Sequence, residues 1–264
     1  MADHTPRRFG AFGALALLFA AGGAGAGWWY AHSQSGRGEG DPQLEASLSS
    51  AGIDGKERAA IEGLIRSYIL EHPEVLPEAM ERLQQREASA QIAPMRGALE
   101  TAFPGAVLGN PNGKVTLVEF TDFACTYCRQ SVKAIEALVA SNPDLRVVVR
   151  ELPIIAPESA PAARMALAAA AQGKYPAYHK AMFEGPRPSD ASITAAATSA
   201  GLDLASARSF AARPDVEEEL KRNLQMARQL GINGTPAWVI GEQLVHGAVP
   251  QEDLQAAIDA ARKG

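Results

Sequence analysis

The fold is decided by residues 123–129, which read Phe123-Ala124-Cys125-Thr126-Tyr127-Cys128-Arg129. This stretch holds both cysteines of the 264-residue chain. Because they lie three positions apart where an apolar strand meets a helix, they can form a small disulfide and reopen it by thiol exchange. A helix N-terminus lowers the pKa of a thiol placed there. The pattern therefore predicts that Cys125 is the attacking thiolate and Cys128 the resolving thiol.

Two other interpretations of the cysteine pair are weaker. A static structural disulfide would close a very short loop, which removes little entropy from the unfolded chain. A zinc site would need further ligands, and the histidines show no ligand spacing with the pair. These histidines are His4, His32, His72, His179 and His246. We therefore expect a redox pair that needs no bound cofactor and no metal.

The composition excludes one class of function. Hydrophobic residues make up 47% of the chain and charged residues 21%, which is typical of a globular protein with one sizeable core and an appendage. The net charge of -5 is spread over mixed acidic and basic segments. The sequence has no basic stripe interleaved with aromatic residues, so nucleic-acid binding is not expected.

Residues 1–31 indicate export from the cytoplasm, as a signal anchor or a signal peptide. Arg7 and Arg8 precede residues 9–30, which carry no charge and are long enough to span a bilayer. Small residues at 24–26 fit a cleavage site, whereas aromatic residues at 28–30 suit a membrane interface. We favour the uncleaved anchor in an inner membrane. The folded part is then expected in a bacterial periplasm, where disulfides persist.

The next segments are expected to be a tether and a helical region. Residues 32–55 are rich in Gly, Ser and acidic residues and predict a flexible tether. Residues 56–103 carry two apolar stripes at helical spacing on either side of Pro73. The stripes consist of Ile61, Leu64, Ile65, Tyr68 and Ile69, and of Val75, Leu76, Ala79, Met80 and Leu83. Such stripes need a cover, and we favour self-association into a homo-oligomer over docking onto the chain's own domain.

Residues 104–264 predict an α/β domain. Apolar stretches near 106–108, 115–120, 145–150, 237–240 and 243–246 read as strands. A helix runs from the cysteine motif to about residue 140, which makes a parallel β-α-β unit. A helical insertion at about 157–230 divides the sheet into two halves. The last two strands form a hairpin, and a helix closes the domain at 251–262.

A second motif, Gly234-Thr235-Pro236-Ala237, opens the last hairpin. Together with the strand, the Cys-x-x-Cys pair, the helix and the helical insertion, it resembles the thioredoxin fold in its DsbA-like form over about residues 104–262. Within that family, Leu70-Glu71-His72-Pro73-Glu74-Val75 resembles the N-terminal oligomerisation segment of ScsC-type thiol oxidoreductases, which belong to the bacterial periplasm.

The resemblance implies roles for the residues of both motifs. Cys125 would be the exposed nucleophile and Cys128 its buried partner. Pro236 would be a cis proline whose loop faces the cysteines, and the backbone of Thr235 would pair with a bound peptide. The two residues between the cysteines, Thr126 and Tyr127, are assigned with Thr235 and Pro236 to the substrate-binding surface.

The Thr126-Tyr127 dipeptide departs from the Pro-His dipeptide of the strongly oxidising DsbA enzymes. A histidine at that place helps to stabilise the thiolate, and Tyr127 cannot supply a cation at neutral pH. We therefore expect a weaker oxidant, whose Cys125 is less acidic.

Glu119 stands in an otherwise apolar strand, with Val115 and Leu117 on its own face. Burying a carboxylate there is costly. Glu119 resembles the buried acid six positions before the first cysteine in DsbA-like enzymes, which helps to move the proton of the second cysteine. Alternatively, its carboxylate reaches solvent at the strand end. Arg150, at the end of a neighbouring strand, is a weaker candidate for its partner.

The residues and the resemblance together predict a thiol-disulfide oxidoreductase that acts on unfolded or misoxidised exported proteins through a mixed disulfide at Cys125. Disulfide isomerase is the favoured activity, with net oxidase close behind, and either would need a membrane thiol redox partner. The alternatives are a dedicated reductase in cytochrome or copper-protein maturation, a Cu(I) carrier that uses both thiolates as soft ligands, and a binder of unfolded peptide.

Overall fold

The computed structural model describes residues 42–263 of the chain. They belong to two compact units, which divide after Val75. The predicted signal or anchor at 1–31 lies outside the described residues. Within residues 42–263, no helix is both long and apolar enough to cross a membrane.

The first unit contains the helices α1 (Pro42–Ser50) and α2 (Gly55–Glu71). A capping box starts α2: Asp54 Oδ1 accepts a hydrogen bond from the Glu57 N–H at 2.9 Å, and the Glu57 carboxylate accepts one from the Asp54 N–H at 3.0 Å. No residue of α2 is buried, and the stripe residues Leu64 and Tyr68 are 69% and 53% exposed. The predicted helix is confirmed, and its apolar stripe faces solvent.

The structure differs from the predicted tether of residues 32–55 at residues 42–50, which form α1. Glutamine, leucine, glutamate and alanine in this stretch are good helix formers, and their propensity outweighs that of the serines. Residues 32–41 lie outside the described part of the chain.

A five-stranded mixed sheet is the centre of the second unit. Its strands are β1 (Val107–Gly109), β2 (Val115–Thr121), β3 (Leu145–Glu151), β4 (Ala237–Ile240) and β5 (Gln243–His246). They are ordered β1-β3-β2-β4-β5; β2 and β3 are parallel, and the other neighbours are antiparallel. The predicted strands, the parallel β-α-β unit and the final hairpin are confirmed.

Helices cover both faces of this sheet. They are α3 (Val75–Ile92), α4 (Arg96–Glu100), α5 (Thr126–Ser141), α6 (Ser159–Ala171), α7 (Tyr175–Glu184), α8 (Asp190–Ser199), α9 (Leu204–Ala211), α10 (Pro214–Gln229) and α11 (Gln251–Ala261). The predicted insertion consists of α6 to α10. One face of the sheet packs on α5, α7 and α11, and the other packs on α4 and the C-terminal half of α10.

Alternation along β2 sends its side chains to two different cores. Leu117 packs in the core with α5 and α7, whereas Val118 and Phe120 pack in the core with α4 and α10. Because both faces are covered, the strand carries apolar residues on both of its faces, as expected of a buried parallel strand. A polar residue such as Glu119 therefore has no solvent-facing side of the sheet available to it.

The α/β domain begins earlier in the chain than the predicted residue 104. Ile92 at the end of α3 and Leu99 in α4 are fully buried and pack with Val118 and Phe120. The segment predicted as 56–103 therefore contains two kinds of helix. The stripe of α2 is exposed, whereas the end of α3 and α4 belong to the domain core.

Candidate active site

The two cysteines lie at the N-terminus of α5. Cys125 is the N-cap residue, and its Sγ accepts a hydrogen bond from the Cys128 N–H at 3.4 Å. Both thiols are free. Cys125 is 5% exposed and Cys128 is 0% exposed. The order of burial agrees with the predicted roles, but the expectation of an openly exposed Cys125 is wrong, because the loop before β4 covers it.

That loop carries the second motif. The peptide bond between Thr235 and Pro236 is cis, as predicted. In its protonated form, Cys125 Sγ donates a hydrogen bond to the Thr235 carbonyl oxygen at 3.2 Å. The fold thus brings the two motifs together, and the Thr235 carbonyl oxygen lies directly against Cys125 Sγ.

The surroundings of Cys125 lower its pKa to about 5. The hydrogen bond with the Cys128 thiol is the largest cause, and the nearby Thr235 hydroxyl and the N–H groups of Cys128 and Tyr127 also lower the pKa, against desolvation. Burial raises the pKa of Cys128 far above that of an ordinary thiol. At neutral pH, Cys125 is therefore a thiolate and Cys128 keeps its proton.

Asp122 is a site residue that the sequence analysis missed. Its buried carboxylate accepts a hydrogen bond from the Ala124 N–H through Oδ1, and from the N–H groups of Ile154 and Ile155 through Oδ2, all at 2.8 Å. It thereby ties the loop before Cys125 to the loop after β3. Its position could have identified it from the sequence, because Asp122 is an acidic residue directly after a strand predicted to be buried.

Exposed apolar side chains lie beside the cysteine motif. Tyr127, between the cysteines, and Ile154 and Ile155, held by Asp122, all expose large apolar surface. Thr126 is exposed as well. Exposed apolar groups collected at one place are typical of an interaction surface.

Glu119 is buried, with 2% of its surface exposed, so the alternative of a solvent-reaching carboxylate is wrong. Burial raises its pKa to about 8, and the nearby Thr121 hydroxyl lowers it. The same hydroxyl lowers the pKa of Cys128. Thr121 is thus close to both groups, which is the geometry that a proton exchange between Glu119 and Cys128 requires. That exchange stays a prediction.

Arg150 does not pair with Glu119. In the parallel register, Glu119 lies opposite Val149, and Arg150 points to the other face of β3. There its guanidinium contacts the buried carboxylate of Glu219 at 2.7 Å and donates to the Leu99 carbonyl at 3.0 Å. This pair lines a cavity of about 900 Å³ whose walls include neither cysteine.

His179 belongs to the site's apolar wall. It is buried on α7, and its ring lies 5.9 Å from that of Phe123, the residue two before the first cysteine. Burial lowers the pKa of His179 to about 4, so it is neutral near pH 7. Within residues 42–263, no group of three or more His, Cys, Asp or Glu side chains could hold a metal ion.

Two family profiles match the chain. The profile of the DSBA-like thioredoxin domain matches residues 116–259, which include both cysteines and the cis proline. The profile of the copper resistance protein ScsC N-terminal domain matches residues 57–90, which include the exposed stripe of α2.

Solved structures resemble the α/β domain. A thioredoxin-like oxidoreductase from Silicibacter pomeroyi is 42% identical, with a TM-score of 0.58, over 60% of this chain and 92% of that chain. A periplasmic thioredoxin-like protein from Salmonella enterica serovar Typhimurium is 32% identical, with a TM-score of 0.58, over 64% and 97%. The catalytic domain of Proteus mirabilis ScsC is 27% identical, with a TM-score of 0.61, over 67% and 99%.

The chain also matches part of the length of longer curated proteins. The Na(+)/H(+) antiporter NhaA 3 of Salinispora tropica is 29% identical over 186 residues, which are 67% of this chain and 28% of that protein. The chain therefore spans less than a third of the length of this relative.

Proposed function

The chain belongs to the family of DSBA-like thioredoxin domains, and from this premise we propose that it is a thiol-disulfide oxidoreductase that acts on exported proteins through a mixed disulfide at Cys125. The contact of Cys125 Sγ with the Thr235 carbonyl oxygen, at 3.2 Å, carries the proposal. A client strand that pairs with the backbone of this loop would bring its own sulfur to Cys125.

The exchange begins at the Cys125 thiolate. It attacks one sulfur of a client disulfide and forms a new S–S bond, while the other client sulfur leaves as a thiolate and takes a proton from solvent. A client thiolate can then attack the mixed disulfide and release Cys125, so the client is isomerised without net oxidation. If Cys128 attacks Cys125 instead, the client is reduced by two electrons and the Cys125–Cys128 disulfide forms.

The difference in pKa between the thiols of Cys125 and Cys128 favours disulfide isomerase activity. The low pKa of Cys125 keeps it ready to attack and makes it a good leaving group. The raised pKa of Cys128 slows its attack on the mixed disulfide, because a thiol must lose its proton first. A slow resolving step leaves time for a client to rearrange its own cysteines.

Net oxidation of clients is the second candidate. A pKa of about 5 for Cys125 stabilises the reduced enzyme, which makes its disulfide a better oxidant. Cysteines of this kind range from about 3.5 in DsbA to about 7 in thioredoxin, so the value supports an oxidant between these extremes. An oxidase would be renewed by a membrane thiol oxidase, and an isomerase by a reductant.

A homo-oligomer is part of the proposal. The exposed residues Ile61, Leu64, Ile65 and Tyr68 lie at three- and four-residue spacing along α2, within the match to the ScsC N-terminal profile. Burial of such a stripe between copies would contribute about 25 cal/mol for each Å² of apolar surface removed from water. Several active sites on one particle suit a client with several mispaired cysteines.

The proposed location is the periplasm, with residues 9–30 as an inner-membrane anchor or as part of a cleaved signal. The need for an oxidising compartment and the likeness to a periplasmic protein of Salmonella support it. N-terminal sequencing of the fractionated protein separates the two cases. An intact N-terminus in the membrane fraction indicates an anchor, and a soluble chain that begins after Ala26 indicates a signal peptide.

Reactivation of scrambled ribonuclease by the full chain tests the activity. The unaltered protein should restore ribonuclease activity in the presence of a trace of thiol reductant, and Cys125→Ser should not. Leu64→Lys combined with Tyr68→Lys should yield monomers that reactivate ribonuclease poorly. Arg66→Ala, an exposed change on the same helix, should leave both assembly and reactivation unchanged.

The possible outcomes separate the candidates. Slow reactivation with fast oxidation of a reduced dithiol peptide would favour the oxidase. Reduction of a single client without either activity would favour the dedicated reductase of cytochrome or copper-protein maturation. A full chain that neither reactivates, oxidises nor reduces any test disulfide would refute thiol exchange. Tight Cu(I) binding in that case would favour the carrier.

A further inference from the structure

Buried polar atoms without a partner collect near the cysteines. Within residues 42–263, the buried side-chain atoms that lack a hydrogen-bond partner in the protein are Glu119 Oε2, Thr121 Oγ1, Glu151 Oε2, His179 Nε2 and Thr235 Oγ1. Buried polar groups are paired in the large majority of cases, so a cluster of unpaired ones needs an explanation. The proposed chemistry uses Glu119, Thr121 and Thr235 but leaves Glu151 without a role.

Glu151 shares a sheet face with Glu119. Thr121 and Glu119 are two residues apart on β2, and side chains two apart in a strand point to the same face. In the parallel register, Glu151 lies opposite Thr121, and Val149 lies opposite Glu119. Thr121 is therefore next to both carboxyl groups, across the sheet from one and along the strand from the other.

Tyr175 decides which oxygen of Glu151 can carry a proton. Its hydroxyl donates a hydrogen bond to Glu151 Oε1 at 2.7 Å. Burial raises the pKa of Tyr175 well above its usual value, so it stays a neutral donor. An oxygen that accepts this bond acts as the carbonyl oxygen of a carboxylic acid, and the proton then belongs on Oε2, the atom without a partner.

Burial keeps Glu151 neutral. Glu151 is 0% exposed, and burial is the largest cause that raises its pKa well above the usual range. The carboxyl groups of Asp122 and Glu119, which face it, raise this pKa further, whereas the hydrogen bond from the Tyr175 phenol lowers it. The Tyr178 phenol also faces Glu151. The neighbouring Arg150 pairs with Glu219 on the opposite face of the sheet.

One free donor therefore lies beside two free acceptors. The donor is the Oε2–H of a neutral Glu151, and the acceptors are Thr121 Oγ1 and Glu119 Oε2. The Thr121 hydroxyl is close enough to Glu119 and Cys128 to lower the pKa of both, although it makes no hydrogen bond of ordinary geometry to either.

We propose that Glu151 is a positioning residue that stays protonated throughout the exchange cycle and donates a hydrogen bond from Oε2, directly or through Thr121, to Glu119 when Glu119 holds a negative charge. It thereby favours the charged form of Glu119, which is the form that accepts the proton of Cys128. The inference rests on the proposed thiol exchange and adds a residue to its proton step.

In the reducing direction, the resolution of the mixed disulfide begins with a proton transfer. The Cys128 thiol gives its proton to the Glu119 carboxylate across the Thr121 hydroxyl. The Cys128 sulfur attacks Cys125 Sγ, the Cys125–Cys128 bond forms, and the bond from Cys125 to the client sulfur breaks. The client sulfur leaves with the electron pair as a thiolate. In the oxidising direction Cys128 leaves as the thiolate, and Glu119 returns the proton.

A pair of variants at position 151 tests the proposal. Glu151→Gln keeps a donor on the side chain but cannot titrate, and Glu151→Leu has a similar size and no donor. The probe is the aromatic disulfide dithionitrobenzoate, which forms a mixed disulfide at Cys125. The rate at which Cys128 then displaces the coloured thiol is measured between pH 5 and pH 10 on the full chain.

The two variants should behave differently. Glu151→Leu should move the midpoint of the pH profile up by at least about one unit and slow release at pH 7 about tenfold, because a hydrogen bond to a charged group contributes about 1.5–3 kcal/mol. Glu151→Gln should stay within about twofold of the unaltered protein, since its amide can still donate. The exposed change Glu136→Gln on α5 is the control.

Further variants keep the test independent of stability. Tyr175→Phe combined with Glu151→Leu leaves no unpaired phenol, and it should show the same shifted profile as Glu151→Leu. In a Glu119→Gln background, Glu151→Leu should have no further effect, because the charged group that it serves is gone.

The outcomes separate this inference from the proposed function. Unaltered protein that forms no mixed disulfide at Cys125 would refute thiol exchange itself. Normal exchange with the same pH profile in Glu151→Leu would overturn the role of Glu151 alone. A profile that shifts as far in Glu151→Gln as in Glu151→Leu would also overturn it, since Glu151 would then have to release its proton during the cycle.

Discussion

Asp122 accepts a hydrogen bond from the backbone N–H of Ile154 at 2.8 Å, and so joins the loop that ends β2 to the loop that ends β3. The same carboxylate also holds Ala124, the residue before Cys125. One buried side chain thus positions both the segment that leads into Cys125 and the exposed apolar residues beside it.

Asp122→Asn should therefore destabilise the protein by about 2–4 kcal/mol, because an amide nitrogen would face backbone N–H donors that lose their acceptor. Urea unfolding measures this change. Asp144→Asn removes a surface carboxylate paired with Arg262 and should cost far less, because solvent screens an exposed ion pair. Equal losses in the two variants would contradict the special position of Asp122.

Cys128→Ser should trap client proteins on Cys125. Without the second thiol, the mixed disulfide can be released only by a thiol of the client or of the solution. Mass spectrometry of the purified complex should find the client sulfur on Cys125. Cys125→Ser should trap nothing, and clients found on Cys128 of that variant would argue against the assigned roles.

Thr235→Val should raise the pKa of Cys125 above about 5, since the hydroxyl near the thiolate is lost. The rate of alkylation by iodoacetamide as a function of pH gives this pKa directly. Thr198→Val changes an exposed threonine of α8 in the same way and should leave the profile unaltered. An unchanged profile in Thr235→Val would remove the hydroxyl from the causes of the low pKa.

The contribution of Cys125 to the stability of the reduced protein should rise with pH. The pKa of Cys125 is about 5 in the folded protein against 9.0 for an ordinary thiol, so its stabilisation is complete above pH 9 and is lost as the pH falls to about 5. Urea unfolding of reduced protein should show a gap to Cys125→Ser that widens from pH 5 to pH 9. A constant gap would contradict the lowered pKa.

Glu219→Gln should destabilise the domain by about 3–5 kcal/mol, because it leaves the buried guanidinium of Arg150 without its counter-charge. Glu217→Gln, two residues earlier on α10, breaks a largely solvent-exposed pair with Arg164 and should cost no more than about 1 kcal/mol. Thermal and urea unfolding compare the two. Similar small losses would mean that Arg150 is held by its backbone contacts alone.

Much of the molecule follows from local sequence patterns. The spacing of apolar residues and the positions of turn residues are local features of the chain. They were sufficient to predict the strands at 115–120, 145–150 and 237–240 and the helices between them. The Cys-x-x-Cys pair and Thr235-Pro236 indicated a thiol-exchange site for the same reason. Each motif keeps its chemistry in a short segment, so roles for Cys125 and Cys128 could be predicted before their surroundings were known.

Only the tertiary structure decided which side chains meet. Arg150 follows the residue opposite Glu119, yet the alternation of the strand turns it to Glu219, while Glu151 points to the face of the cysteines. Asp122 and Tyr175 gained their roles from partners on other elements. Glu119 is buried, and its pKa is therefore raised, because helices from distant parts of the chain cover both faces of the sheet. Strand register and the packing of distant segments do not follow from a local sequence pattern. For this reason, these contacts could not be derived from the sequence.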